Sequence, residues 1–181
     1  MESVIVCELV KDPNSPLSGL VEKTYNESFP EVERRDFSLV RKLLVEDSRF
    51  ELLALSRDGV YVGFITAWQF DGFVYAEHFA VDPSARNGGI GSRAMRSFLA
   101  LHKDPVVLEV EMPTDEMSRR RIGFYERLGF VLDTHTYQQP PYRPGDGWFE
   151  MRLMTYGSID LSHSFEQVRD TIYRNVYGVV R

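Results

Sequence analysis

The stretch that decides the fold of this 181-residue chain reads Val81-Asp82-Pro83-Ser84-Ala85-Arg86-Asn87-Gly88-Gly89-Ile90-Gly91-Ser92. An apolar, strand-like run ends at its start, an amphipathic helix begins at its end, and three glycines lie between them. The first backbone N–H groups of a helix lack internal partners and carry the positive end of the helix dipole, so they attract anions. Because glycine has no Cβ, a phosphate can approach that backbone closely. The stretch therefore predicts a phosphate-binding turn.

Three glycine-rich families offer such a turn. A Walker A loop requires a Lys after its last glycine, and no Lys follows any of these glycines. A dinucleotide fingerprint requires G-x-G-x-x-G after the first strand, whereas this chain has Arg86-x-x-Gly89-x-Gly91 after several strand-like runs. That order resembles motif A of the GNAT superfamily of acetyl-CoA-dependent N-acetyltransferases, whose loop reads Q/R-x-x-G-x-G/A. The preceding Phe79-Ala80-Val81-Asp82-Pro83 is similar to the strand end that leads into this loop.

A second stretch, Phe124-Tyr125-Glu126-Arg127-Leu128-Gly129-Phe130, resembles motif B of the same family, in which a Tyr precedes a Gly-Phe helix end. The two motifs come in the family's order and separation, and the resemblance covers about residues 4–156. The chain departs from the pattern where many members have Asn and Ala, since Ser118 and Arg121 stand there. The chain therefore lacks the Asn side chain that contacts the cofactor in those members. The arginines around Arg121 could instead meet the CoA 3′-phosphate, or form a solvated helix face.

The resemblance implies an enzyme that moves the acetyl group of acetyl-CoA, its co-substrate, to a primary amine by direct attack and without a metal. Tyr125 is implied as the general acid for the leaving thiolate, with a core tyrosine as the alternative. Glu77 is the candidate base because it shares a strand face with Phe79, with an ion-paired strand residue as the alternative; His78 points to the opposite face. The expected acetyl-CoA contacts, made largely by backbone groups, are Phe79, Ala80, Val81, Arg86, Asn87, Gly88, Gly89, Ile90, Gly91 and Ser92.

Composition limits the class of protein. A length of 181 residues and a hydrophobic content of 43% suit one globular domain over residues 1–181, with 157–181 as a C-terminal extension. The net charge of −6 argues against a nucleic-acid partner. We expect neither a signal peptide nor a membrane segment, and hence a cytoplasmic protein, because no basic region precedes an apolar one and no apolar run is long enough. The lone Cys7 is expected to be a small core residue of the first strand. The sequence leaves open whether the protein forms a homodimer.

Hydrophobic periodicity predicts a mixed α/β fold: a mostly antiparallel sheet with a central parallel strand pair, flanked by helices. Asp58-Gly59 and Asp71-Gly72 separate strand-like runs, which favours tight hairpins whose two central residues take positive φ. The strand–helix–strand crossover around the glycine loop favours a parallel pair. Ser15 and Asp36 are expected helix caps. The predicted strands cover residues 4–10, 50–56, 60–70, 73–81, 106–112, 130–137 and 148–156, and the predicted helices follow Ser15 and Asp36 and cover 91–102, 116–128 and 165–177.

Two other functions stay open at this point. The first is a GNAT-fold module that binds acyl-CoA without turnover, and the second is O-acyl transfer or transfer of a longer acyl group. Cys7 is a poor candidate for an acyl-carrying nucleophile because it lies far in sequence from both motifs. The acceptor is expected to be an amine on a small molecule or a peptide, and no residue names it. Thiol release from acetyl-CoA with a panel of amines separates these alternatives.

Overall fold

A computed structural model describes residues 3–180, and within them the chain forms eight β-strands and five α-helices. Two single-turn 3₁₀ helices, Glu31–Glu33 and Pro83–Ala85, complete the regular structure of this part. In chain order the elements are β1 (Ile5–Leu9), α1 (Pro16–Ser28), α2 (Phe37–Glu46), β2 (Phe50–Arg57), β3 (Val60–Phe70), β4 (Phe73–Val81), α3 (Ile90–Leu101), β5 (Val106–Glu111), α4 (Glu116–Arg127), β6 (Val131–Leu132), β7 (Tyr137–Gln139), β8 (Phe149–Tyr156) and α5 (Leu161–Val176).

The chain divides into two compact units. The first comprises Met1–Gln69 with Ala76–Lys103, and the second comprises Phe70–Tyr75 with Asp104–Arg181. Strand β4 therefore begins in the second unit and ends in the first. No helix formed by residues 3–180 combines the length and the apolarity needed to cross a bilayer.

In the first unit, β1, β2, β3 and the second half of β4 are neighbours in that order. β1 pairs antiparallel with β2, and β2 pairs antiparallel with β3 with a bulge between Leu55 and Ser56. Helix α1 starts as predicted, since the Ser15 side chain accepts a hydrogen bond from the Ser18 N–H and Pro16 follows. Asp36 caps α2 in the same way. The core of this unit is apolar and aromatic: Val21, Tyr25, Val40, Leu52, Phe64, Ile65, Trp68, Ile90 and Phe98 are all at most 1% exposed.

In the second unit, β8 is the central strand, and β5, β6 and β7 all pair with it antiparallel. Pro105, just before β5, accepts a hydrogen bond from the Val74 N–H in the first residues of β4. Buried apolar residues of the strands, of α4 and α5, and of the α4–β6 connection form the core: Val74, Val107, Ile122, Phe130, Leu153, Met154 and Ile172. The fold is mixed α/β with one parallel strand pair, as predicted.

Three local predictions need correction. At Asp58-Gly59 both central residues have positive φ, as expected, but at Asp71-Gly72 only Gly72 does. The predicted strand over 130–137 is broken, since the Asp133 carboxylate accepts hydrogen bonds at 3.0 Å from the N–H and the ring Nδ1 of His135, which forms a turn. Helix α5 begins at Leu161, four residues earlier than expected, because the Asp160 side chain caps it through the Ser162 N–H.

Candidate active site

The glycine loop turns the end of β4 into the start of α3. Gly88 and Gly89 have φ of 85° and 68°, in the left-handed region that favours glycine, and no neighbouring atom lies within 4 Å of where a Cβ would be. Gly89 is the N-cap of α3, and no side chain of the described residues caps this helix. The first N–H groups of a 12-residue helix are thus left without internal partners. This arrangement fits an anion such as the CoA pyrophosphate.

Side chains of the loop stabilise its backbone. The exposed Arg86 donates from Nε to the Val81 carbonyl at 3.2 Å, so its guanidinium closes the loop in this structure. Arg93, one turn into α3, donates to the carbonyls of Gly88 at 2.9 Å and Ser3 at 3.0 Å. Asp82 caps the 3₁₀ turn by accepting from the Ser84 N–H at 3.0 Å. Sequence reasoning missed Arg93; its position one turn after Gly89, the N-cap glycine, was the available signal.

The strand end before the loop is reached by solvent. Phe79, Ala80 and Val81 are half-buried, although the earlier part of β4 is mostly buried. β3 approaches this end so closely that a Cβ on Gly63 would lie 2.3 Å from the Ala80 oxygen. Gly63 is therefore required for the position of the predicted acetyl-CoA contacts, and no sequence motif indicated it.

Glu77 lies at the centre of a buried polar cluster. Its side chain is 0% exposed and forms an ion pair with Arg35, whose side chain is 9% exposed. The indole Nε1 of Trp68 donates to Glu77 Oε1 at 2.7 Å. Burial raises the pKa of Glu77, but the positive charge of Arg35, the neighbouring His78 and these hydrogen bonds outweigh burial and leave the pKa below its usual value. Glu77 is thus held as a carboxylate that is a weak base while Arg35 stays in place.

His78 is a buried neighbour of this cluster. Its Nε2 donates to the Glu33 carbonyl at 2.8 Å, and its Nδ1 lies 3.5 Å from Glu77 Oε2, closer than strict alternation along β4 suggests. Its ring packs against Phe29 with centroids 4.7 Å apart. Burial lowers the pKa of His78, although Glu77 opposes this. The ring therefore fills a core position and ties the segment before α2 to β4.

Tyr125 lies in the second unit, on the last turn of α4. Its ring packs between Phe124 and Phe130 with centroids 5.1 and 5.3 Å away, and the residue is half-buried. Its hydroxyl makes no hydrogen bond within the part of the chain that the structure describes. Burial raises the pKa of Tyr125 to about 12, although Arg121 lowers it. The hydroxyl is therefore protonated at neutral pH, as a general acid must be.

The motif B departures have local explanations. Ser118 is 2% exposed and completes a capping box: its N–H donates to Asp115 at 2.7 Å and its hydroxyl accepts from the Asp115 N–H at 3.2 Å. Arg120 pairs with Glu116 at 2.8 Å, and Arg121 lies 3.6 Å from Glu111. The arginine run thus makes surface ion pairs, one within α4 and one with the end of β5.

The structure brings the ten predicted acetyl-CoA contacts and Glu77 together in the first unit, whereas Tyr125 belongs to the second. Cys7 is half-buried on β1, and burial raises the pKa of its thiol to about 11. A thiol with so high a pKa is a poor nucleophile at neutral pH.

Comparison with known proteins places these features in a family. The model of the acetyltransferase (GNAT) family matches residues 18–130. A solved structure from Bacteroides thetaiotaomicron, described as a candidate acetyltransferase of the GNAT family, is 38% identical; the match covers 96% of this chain and 99% of that one, with a TM-score of 0.93. No curated protein matches this sequence.

More distant solved structures share the fold. The Escherichia coli ribosomal-protein-S18-alanine N-acetyltransferase is 20% identical with a TM-score of 0.59, over 84% of this chain and 93% of that one. Arabidopsis thaliana NAA60 in complex with acetyl-CoA is 18% identical with a TM-score of 0.60, over 84% and 98% of the two chains.

Proposed function

Because this chain belongs to the GNAT acetyltransferase family, as its two motifs predicted, we propose that it is an N-acetyltransferase that transfers the acetyl group of acetyl-CoA to a primary amine by direct attack. Family membership makes the chain an acyltransferase. That the acceptor is an amine, and that it attacks the thioester directly, is what we propose. The observation that carries it is the uncapped N-terminus of α3 behind two left-handed glycines. This backbone suits the pyrophosphate of the acetyl donor.

The donor would be held mainly by backbone. The N–H groups from Gly88 to Ser92 would bind the pyrophosphate, and the Ser92 hydroxyl would add a hydrogen bond. Backbone groups of Phe79, Ala80 and Val81 would contact the pantetheine and the thioester, and an N–H there would stabilise the oxyanion. Their half-buried state supports this role. Arg86 and Asn87 would act through their backbone groups, and the Arg86 side chain would hold the strand end through the Val81 carbonyl.

In the transfer, the amine nitrogen forms a bond to the thioester carbonyl carbon, the carbon–sulfur bond breaks, and the amine loses a proton. Tyr125 would give its hydroxyl proton to the leaving thiolate, a role supported by the protonated hydroxyl that has no partner among residues 3–180. Glu77 remains the candidate base. Since Arg35 lowers the pKa of Glu77, Glu77 would accept the amine proton through water or after Arg35 moves.

A cytoplasmic location and a homodimeric state remain predictions from the sequence.

Release of CoA from acetyl-CoA, measured with a thiol reagent and a panel of amines, tests the proposal. We expect Gly89→Val to raise the KM for acetyl-CoA at least about tenfold, because a branched side chain fits the left-handed backbone poorly and covers the N–H groups. Gly59→Val is the matched control, since Gly59 also has positive φ with open space around it but lies in a hairpin turn. Tight CoA binding with no turnover on any amine would favour a non-catalytic module. Turnover on alcohols alone would indicate O-acyl transfer.

A further inference from the structure

A second carboxyl group enclosed by hydrogen-bond donors, outside the glycine loop and motif B, lies in the second unit. Glu109 on β5 accepts hydrogen bonds from the Tyr137 hydroxyl at 2.5 Å, from Gln139 Nε2 at 2.6 Å and from the Tyr177 hydroxyl at 2.9 Å. The Tyr75 hydroxyl lies 3.4 Å from that of Tyr177. Residues from β4, β5, β7 and the end of α5 thus meet at one carboxyl group.

The donors to this carboxyl group are neutral. Hydroxyl and amide groups satisfy the lone pairs of a carboxylate, but they do not cancel its charge. Burial raises the pKa of Glu109, although the hydrogen bonds from Tyr137, Gln139 and Tyr177 oppose this. Glu77 differs, since a guanidinium compensates it. A cation placed beside Glu109 would favour its ionised form, which makes this carboxyl group suited to a positively charged ligand.

Aromatic rings surround the carboxyl group and extend outward from it. Tyr142 packs against Tyr177 with centroids 5.0 Å apart, and Trp148 packs against Tyr173 at 5.7 Å. Trp148 is 42% exposed and Tyr142 is half-buried, and both lie on the proline-rich β7–β8 loop. Ring faces attract ammonium groups. The cluster therefore combines a carboxylate with aromatic faces, two groups that recognise a cationic amine.

We propose that Glu109, with the hydroxyls of Tyr137 and Tyr177, is the binding site for the positively charged nitrogen of the acceptor. This inference rests on the proposed N-acetyltransferase function and names its substrate class, an aliphatic amine that is charged in solution. An ammonium donates three hydrogen bonds, which the carboxylate oxygens and a tyrosine oxygen can accept. Tyr177 follows the last residue of α5, so its hydroxyl can be displaced without breaking the helix.

The test compares an alkylamine, which is charged at pH 7, with an arylamine, which is neutral there. Glu109→Gln keeps the size and the hydrogen-bonding capacity of the side chain and removes its charge. We expect it to raise the KM for the alkylamine about 10- to 100-fold, the range for loss of a charged hydrogen bond, and to leave the KM for acetyl-CoA and for the arylamine within about twofold. Glu111→Gln is the matched control, since Glu111 is an exposed acid on the same strand.

Three results would overturn the inference, and each points to a different cause. Unchanged kinetics in Glu109→Gln would show that the carboxyl group is only a structural hub. Equal losses on both amines, with a lower melting temperature, would show a folding defect. If the wild-type protein acetylates neither these nor other amines, the proposed function itself fails. Tyr137→Phe provides a second test, because it removes one hydroxyl and leaves the charge; we expect a smaller rise in the alkylamine KM, of about two- to tenfold.

Discussion

The buried ion pair between Arg35 and Glu77 allows a quantitative prediction. Replacing Arg35 with Met leaves the Glu77 carboxylate, which is 0% exposed, without its compensating charge. Removal of one partner from a buried pair costs about 3–5 kcal/mol. For a chain of this size, each kcal/mol lowers the melting temperature by about 2–4 °C, so we expect a decrease of about 6–20 °C. Urea unfolding at pH 7 measures the free energy directly.

The pair also predicts a pH dependence. The pKa of Glu77 is lower in the folded protein than its usual value of 4.5, so the pair stabilises the fold above that pH. This contribution is lost as the pH falls through the folded-state pKa. Arg35→Met should therefore flatten the acid limb of the stability curve, and adding Glu77→Gln to Arg35→Met should recover most of the lost free energy, since no buried charge then remains.

Arg41→Met is the matched control for Arg35→Met. Arg41 pairs with Glu22, but the two side chains are 32% and 35% exposed, so loss of that pair should cost no more than about 1 kcal/mol. The assigned role of the buried pair is wrong if Arg35→Met lowers the free energy of unfolding no more than Arg41→Met does. It is also wrong if the variant that carries both Arg35→Met and Glu77→Gln is no more stable than Arg35→Met.

Three further predictions concern other parts of the molecule. Tyr125→Phe should lower kcat about 10²–10⁴-fold with little change in melting temperature; an unchanged kcat, with chemistry rate-limiting, would contradict the acid role. Gly63→Ala should destabilise the protein by about 1–3 kcal/mol and raise the KM for acetyl-CoA, because the new Cβ meets the Ala80 oxygen, whereas Gly19→Ala, in open space on α1, should stabilise it slightly. Because burial raises the pKa of Glu109, this group favours folding below its usual pKa of 4.5, and that stabilisation is lost as the pH rises through the folded-state pKa. Glu109→Gln should remove this pH dependence from the free energy of unfolding, measured in urea from pH 4.5 to 8.

Features that depend on a few adjacent residues could be predicted from the sequence. The caps of α1 and α2, the positive φ at Asp58-Gly59 and the left-handed Gly129 after α4 follow from local hydrogen bonds and steric limits. The errors were also local. The turn at Asp133 and the early start of α5 arise from aspartate side chains that bond to nearby backbone, and such residues lie in many loops without doing so.

Residue order alone predicted the family, which the comparisons confirm, because the glycine loop and motif B are short segments whose residues dictate backbone conformation. The acetyl-CoA donor follows from that family and stays a prediction for this chain. Which buried charges are compensated depends on contacts between residues far apart in the chain. Arg35 meets Glu77 from 42 positions away, and Tyr177 meets Glu109 from 68 positions away. The need for glycine at position 63 is likewise explained only by the close approach of the β4 backbone. The physical reason is that pKa, desolvation and close packing depend on neighbours that chain folding brings together, and no local pattern encodes those neighbours.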